Sequence, residues 1–115
     1  MHEMALTRSV VDMVAARTTG RRVSRVRLEV GALAGVVPDA MRFCFDLACL
    51  GTDLEGADLD IVEVPSRLAC ATCGATSSCP DRVLLCPCGS ADVAIVQGEE
   101  LRVLSVDMRK EEACA

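Results

Sequence analysis

Two closely spaced pairs of cysteines are the clearest sign of chemistry in this 115-residue chain. Cys70 and Cys73 are separated by two residues, and Cys86 and Cys88 by one. Two thiolates this close let the backbone N–H groups of a tight turn face the sulfurs, and two such turns complete a tetrahedral shell of four sulfurs around zinc. Because such a shell leaves no open position for water, we predict a structural zinc ion bound by all four cysteines.

Four other interpretations use the same part of the chain. The second pair is one residue shorter than the usual C-x-x-C, so Cys79 is a substitute ligand if Cys86 and Cys88 cannot both reach one ion. Iron accepts the same ligand set, and the thiols could instead form two disulfides. A thioredoxin-like pair at Cys70 and Cys73 would open a helix, which the glycine directly after the motif does not favour.

Composition favours a metal site over a disulfide scaffold. Glu3, Arg8 and Asp12 interrupt the apolar residues of the amino-terminal segment, which is unlike a signal peptide or a membrane span. We therefore expect the protein in the cytoplasm, where thiols stay reduced. A formal net charge of −5, a sequence pI of about 4.8 and only two aromatic residues argue against nucleic acid or membrane as a partner.

The amino terminus is a second candidate metal site. The one histidine, His2, follows Met1 and precedes Glu3. The α-amine, an amide nitrogen and the imidazole can close adjacent chelate rings on one ion, and a planar set of nitrogen donors suits Ni²⁺ or Cu²⁺. Glu3 could bind axially or orient the imidazole. On these residues alone, the alternative is a solvated terminal histidine with no role.

Two amphipathic helices are predicted in the first half of the chain. The first runs from Glu3 to Arg17, and the second from Pro38 to about Leu50, where Gly51 ends it. Residues at helical spacing define the apolar face of each helix. They are Leu6, Val10, Met13 and Val14 in the first helix, and Met41, Phe43, Phe45, Leu47, Ala48 and Leu50 in the second.

The predicted strands surround a segment that has no core of its own. Alternating patterns predict strands over 25–30 and 101–108, and β-prone residues predict strands over 57–65, which ends at a proline, and over 93–96. Residues 67–89 are rich in Cys, Gly, Ser and Pro and need another source of stability, which a metal would supply. The order of elements predicts an α+β fold, with two helices on a three-stranded sheet and an inserted zinc-ribbon-like cysteine module.

Several blocks of sequence together carry a family resemblance. They are the start Met1-His2-Glu3, GALAGVVPDAMRFCFD in the middle, the two cysteine pairs, and CGSADVAIVQGEELRV near the end. With these blocks the chain resembles the HypA/HybF family of nickel-insertion accessory proteins over almost its whole length. The resemblance implies a nickel metallochaperone for maturation of NiFe hydrogenase, and in some organisms of urease.

The same resemblance implies the roles of individual residues. Met1, His2 and Glu3 would bind Ni(II), and Cys70, Cys73, Cys86 and Cys88 would hold structural Zn(II). The implied partners are a nickel-binding GTPase of the same pathway and the hydrogenase large subunit. The expected domains are a nickel-binding α+β domain over 1–65, a zinc-binding module over 66–97, and a returning strand and tail over 98–115.

Two positions depart from the family pattern. The second cysteine pair of the family normally reads C-P-x-C, whereas one residue is missing here between Cys86 and Cys88. Some members use an acidic residue before the second helix, where this chain has Val37, so no ligand is expected at that position. Nearby Asp39 is interpreted as a helix-start residue.

We therefore predict a nickel carrier that is not an enzyme and that is a monomer or a weak homodimer. An enzyme is disfavoured because one histidine at position 2 permits no Ser/His or Cys/His constellation, and a closed four-sulfur site offers no activated water. The alternative is a zinc-ribbon module that binds protein partners and has no nickel role.

Overall fold

The computed structural model describes residues 2–109, and for His2 the backbone only. These residues form a mixed α+β structure, which confirms the predicted class. None of the helices among them is long and apolar enough to cross a membrane. The elements are α1 (His2–Arg17), β1 (Val23–Gly31), α2 (Pro38–Cys49), β2 (Asp58–Val64), β3 (Arg67–Cys70), β4 (Thr76–Ser77), β5 (Val93–Gln97) and β6 (Leu101–Met108).

Helix α1 forms because apolar side chains recur at steps of three and four residues. The buried members of this face are Thr7, Val10, Val11 and Val14. At the end of the helix the Thr18 hydroxyl donates to the Val14 carbonyl at 2.8 Å, and Gly20, with φ of 78°, turns the chain away. Met13 was expected on the apolar face but is 43 % exposed, since Thr7 and Val11 shift the buried side away from it.

Helix α2 packs against α1 and buries a narrower face than the sequence indicates. Pro38 begins the helix, where its missing N–H donor costs nothing. The buried side chains are Met41, Cys44, Phe45, Ala48 and Cys49. The expectation that Phe43, Leu47 and Leu50 widen this face is wrong, because Phe43 is 67 % and Leu50 62 % exposed.

The first sheet has the strand order β2-β1-β6. Val26, Leu28 and Val30 of the central strand are buried, whereas Arg25 and Arg27 are exposed, as the alternating pattern predicts. Charged pairs cross to the neighbouring strands on the exposed side. Arg27 contacts Asp60 at 3.1 Å and Arg102 contacts Glu29 at 2.7 Å.

The second sheet has the strand order β4-β3-β5 and is antiparallel. Leu68 of β3 lies opposite Ile95 of β5 and is completely buried. The sequence predicted β5 but neither β3 nor β4, because Arg67–Cys70 is too short to show a period and ends at a metal-ligand motif. The cysteine-rich stretch therefore has a small sheet as its framework.

The chain comprises two compact units, one of which contains Glu29–Gly35 and Val62–Arg102. Two backbone segments meet inside this unit. The N–H of Gly31 donates to the Glu100 carbonyl at 2.7 Å, and the N–H of Leu33 donates to the Gly98 carbonyl at 2.7 Å. A Cβ atom at Gly31 would overlap the backbone of Gly98, so only glycine fits at this crossing.

Candidate metal centre

Four cysteine sulfurs converge at one end of the small sheet. The Sγ atoms of Cys70, Cys73, Cys86 and Cys88 all lie within 4.8 Å of one another. Cys70 Sγ is 3.8 Å from Cys88 Sγ, and Cys73 Sγ is 3.5 Å from Cys86 Sγ. Zn–S bonds of about 2.3 Å in a tetrahedron separate the sulfurs by about 3.8 Å, so the arrangement fits a four-thiolate metal shell. These separations exceed the S–S bond length of about 2.05 Å, and all four thiols are free.

The first cysteine pair lies on a turn that continues strand β3. The N–H of Gly74 donates to the Cys70 carbonyl at 3.0 Å, and Gly74 has a φ of 75°, which closes the turn. The N–H of Cys73 points at Cys70 Sγ at 3.4 Å. This is the backbone-to-sulfur arrangement that the C-x-x-C spacing predicts.

The second pair forms an equivalent turn in spite of the missing residue. The N–H of Gly89 donates to the Cys86 carbonyl at 2.8 Å, and Cys86 N–H donates to the Ser90 carbonyl at 2.9 Å. Gly89 has a φ of 95°, a conformation that glycine adopts without a steric penalty. A hydrogen bond of 2.8 Å between the Thr72 and Ser90 hydroxyls joins the two turns. The C-x-C turn therefore places both of its sulfurs in the group of four.

The thiols differ in how readily they ionise. The backbone N–H of Cys73 stabilises the Cys70 thiolate and, against the opposing effect of burial, lowers the pKa of Cys70 to about 6. The Cys88 N–H favours the Cys86 thiolate, but burial and the neighbouring thiols outweigh it and raise the pKa of Cys86 to about 12. Four thiols this close together cannot all ionise unless a cation offsets their charges, so the group is suited to a metal ion.

Cys79, the substitute ligand considered from the sequence, is not among these four cysteines. It is buried, and its N–H donates to the Ser66 hydroxyl at 2.9 Å. This hydrogen bond ties the loop between the two pairs to the start of the small sheet.

The amino-terminal candidates are described only in part. Met1 lies outside the described residues, and so does the side chain of His2, whose backbone begins α1. Glu3 is half-buried, and its Oε2 accepts a hydrogen bond of 3.3 Å from the N–H of Val37. Val37 is the N-cap of α2 and has no side-chain oxygen of its own to cap that helix.

The Glu3–Val37 contact is a feature that sequence reasoning missed. The sequence shows only that Val37, directly before Pro38-Asp39, has no side-chain oxygen with which to cap α2, and no local pattern identifies the acceptor of its N–H.

Comparison with known proteins finds similarity over almost the whole chain. Residues 1–108 match a family model described as hydrogenase/urease nickel incorporation, metallochaperone, hypA. A hydrogenase maturation factor HypA from Streptomyces avermitilis is 52 % identical over 113 residues, covering 92 % of this chain and 86 % of its own. One from a Nostoc species is 40 % identical over 114 residues, covering 99 % of both chains.

A solved structure shares the fold. The solution structure of the Ni metallochaperone HypA from Helicobacter pylori superposes with a TM-score of 0.62 at 24 % sequence identity, covering 95 % of this chain and 98 % of that one. At this identity the likeness concerns the fold alone.

Proposed function

The chain belongs to the HypA family of metallochaperones for nickel incorporation, and we propose that it delivers Ni(II) for the maturation of hydrogenase from a site at its own amino terminus. The observation that carries the family function is the match over residues 1–108. Urease is a second proposed client, and the cytoplasm is the proposed location. A nickel-binding GTPase of the maturation pathway and the hydrogenase large subunit are the proposed partners.

The proposed nickel ligands are Met1, His2 and Glu3. Helix α1 begins at His2, and the first four N–H groups of a helix have no acceptor within the helix. The His2 amide nitrogen is therefore not needed for the helical ladder, and it is free to join the α-amine and the imidazole as a nickel ligand. A site made of consecutive residues at a chain end is open to exchange, which a carrier that must release its cargo requires.

Glu3 supports this site by fixing the start of α1. Its carboxylate accepts the Val37 N–H, and it thereby links the first turn of α1 to the first turn of α2. The residue next to His2 is therefore held by a second element. We propose that this fixed helix start presents the nickel ligands to the partner that receives the ion.

The proposed role of the four-cysteine group is structural zinc binding. Its four thiolates are the soft ligands that zinc prefers, and they close the tetrahedral shell. We keep as a proposal the division into a nickel-binding α+β domain over 1–65 with two helices on a three-stranded sheet, a zinc module over 66–97, and a returning strand and tail over 98–115. We propose no catalytic activity for either site, and a monomer or weak homodimer as the working form.

The test is a calorimetric Ni(II) titration of zinc-loaded protein with an untagged amino terminus, with total metal counted by mass spectrometry. His2→Ala should abolish tight nickel binding and leave zinc at one ion per chain. Arg8→Ala, a change of an exposed residue on the same helix, should leave both metals unaffected. A variant with one glycine added before Met1 should also lose tight binding, because the α-amine is then moved away from the imidazole.

The same titration addresses the alternative function. Equal and weak nickel binding by the parent and by His2→Ala would contradict the proposed site and support a zinc-ribbon module that binds protein partners without carrying nickel.

A further inference from the structure

Strand β5 is an edge strand that lacks charged residues and proline. Natural edge strands are protected from pairing with another chain by charges, proline, β-bulges or short length. Among the described residues, edge strand β2 carries three acidic residues, edge strand β6 carries Arg102 and Asp107, and edge strand β4 has only two residues. The sequence of β5, VAIVQ, has neither charge nor proline, and its one irregularity is a register shift that leaves Val96 between the paired residues Ile95 and Gln97.

The hydrogen bonds of the sheet show which backbone groups of β5 face outward. The N–H of Ala71 donates to the Asp92 carbonyl, so Asp92 points toward β3. Backbone direction alternates along an antiparallel strand, and Ala94 therefore also points toward β3, opposite Ala69. The N–H and C=O of Ile95 point the other way, to the open edge. An extended segment laid along β5 would find this donor and acceptor pair unoccupied by any described strand.

The side chains around this edge add an apolar and an acidic component. Val96 is 57 % exposed, and together with Ile95 it lines a cavity of about 260 Å³ beside the strand. Glu99 and Glu100 line the same cavity, and Asp92 precedes the other end of the strand. Glu100 Oε1 accepts the Gly98 N–H at 2.8 Å, which holds the turn after β5 in place. The edge is thus apolar in its middle and acidic at both ends.

These charges argue against a second copy of the chain as the occupant. Antiparallel pairing of two β5 strands about Ile95 would bring Asp92 of one copy opposite Gly98 and next to Glu99 of the other, twice by symmetry. Like charges in neighbouring cross-strand positions destabilise a sheet, and the chain already carries a formal net charge of −5.

We propose that β5 is a docking edge for an extended segment of a partner protein, with alternating apolar residues in its centre and Lys or Arg at both ends. The segment adds a fourth strand to the β4-β3-β5 sheet, so that main-chain hydrogen bonds at Ile95 supply affinity. Specificity has two sources. One is a side chain of the partner segment that fills the cavity beside Val96, and the other is the attraction between its Lys or Arg residues and the acidic ends of the edge. This surface is independent of nickel, because it lies on the zinc-module sheet and uses none of the proposed nickel ligands.

The test uses zinc-loaded full-length protein and synthetic ten-residue peptides of alternating valine and threonine. One peptide has two lysines at each end, a second has glutamates in their place, and a third keeps the lysines but has every central amide N-methylated. The lysine peptide should shift the amide resonances of Val93–Gln97 and slow hydrogen exchange of the Ile95 amide. The glutamate peptide and the N-methylated peptide should cause neither change. Binding of the N-methylated peptide with equal affinity would overturn strand addition, and so would resonance shifts confined to other segments.

Matched variants separate the charges from the backbone pairing. Glu99→Gln should weaken binding of the lysine peptide about two- to fivefold, as expected for one exposed charge pair. Glu63→Gln, an equally conservative change of an exposed residue on β2, should have no effect. Equal losses in both variants would contradict the acidic-end argument. Sedimentation equilibrium adds a further check: a dimer of the parent that Val96→Lys dissociates would identify a second copy as the occupant and overturn the proposal.

Discussion

Replacing Gly31 with alanine should destabilise the protein strongly, although it adds a single methyl group. The new Cβ atom would overlap the Gly98 carbonyl and lie 2.7 Å from the Glu100 nitrogen. All of these are backbone atoms, which cannot rotate away as a side chain would. The backbones must separate, and the hydrogen bonds from Gly31 to Glu100 and from Leu33 to Gly98, both 2.7 Å long, would be lost or stretched.

The size of the effect follows from these two contributions. Two backbone hydrogen bonds at about 1 kcal/mol each, and overpacking of about 1–3 kcal/mol, predict a loss of about 3–5 kcal/mol in the free energy of unfolding. This is a large fraction of the total stability of a small domain, which is about 5–15 kcal/mol. Urea unfolding of zinc-loaded protein, followed by circular dichroism, measures the loss directly.

Gly35→Ala is the matched control for this experiment. Gly35 has a φ of 76° and nothing within 4 Å of a new Cβ, so alanine there meets only the conformational penalty of about 1–2 kcal/mol. If Gly31→Ala unfolds at the same urea concentration as the parent, or is no less stable than Gly35→Ala, then the backbone crossing does not restrict the residue at position 31.

Three further predictions concern the cysteines and the amino-terminal helix. Cys73→Ser should lose zinc in native mass spectrometry whereas Cys79→Ser should retain it; zinc loss in both variants would mean that Cys79 is needed at the site. Burial and, secondarily, Asp46 raise the pKa of Cys49 to about 11, so the stabilising contribution of its neutral thiol is complete below pH 9 and is lost as the pH rises through 11. The free energy of unfolding of Cys49→Ala should therefore fall less than that of the parent between pH 9 and pH 11. An identical dependence of the two free energies on pH would contradict this. Glu3→Gln keeps an acceptor for the Val37 N–H and should preserve the melting temperature within about 2 °C. Glu3→Ala removes the acceptor and should lower the melting temperature by several degrees, consistent with about 1 kcal/mol for a lost cap. Equal melting temperatures of the two variants would show that the contact does not stabilise the helix.

The sequence predicted those elements whose signal is periodic and long. The central strand follows its alternation residue by residue, with Val26 and Leu28 inside and Arg27 outside. Helix α2 shows the limit of this reasoning. Hydrophobicity does not distinguish an apolar side chain that packs in the core from one that faces outward, so Phe43 was assigned to the wrong face of the correct helix.

The candidate zinc site was predictable because metal-ligand spacing is a local property of the chain. The missing residue in the second pair raised the question of Cys79, and its answer depended on where the turn places the sulfurs of Cys86 and Cys88, which sequence spacing does not reveal. The contacts made by Glu3 and Gly31 were not predictable for a different reason. They join residues 34 and 69 positions apart in the chain, and no local pattern encodes contacts over such separations.

Two metals in one small protein raise the question of what prevents them from exchanging sites. Intrinsic affinities do not separate them, because nickel and zinc lie close together in the Irving–Williams order. The type of ligand separates the two metals instead. Four soft thiolates close a tetrahedral shell, and this shell satisfies zinc without an open position. The proposed terminal site instead offers nitrogen donors in a plane, a geometry that zinc does not favour. On this reasoning, the same contrast in coordination geometry retains zinc in the fold and leaves nickel available for delivery.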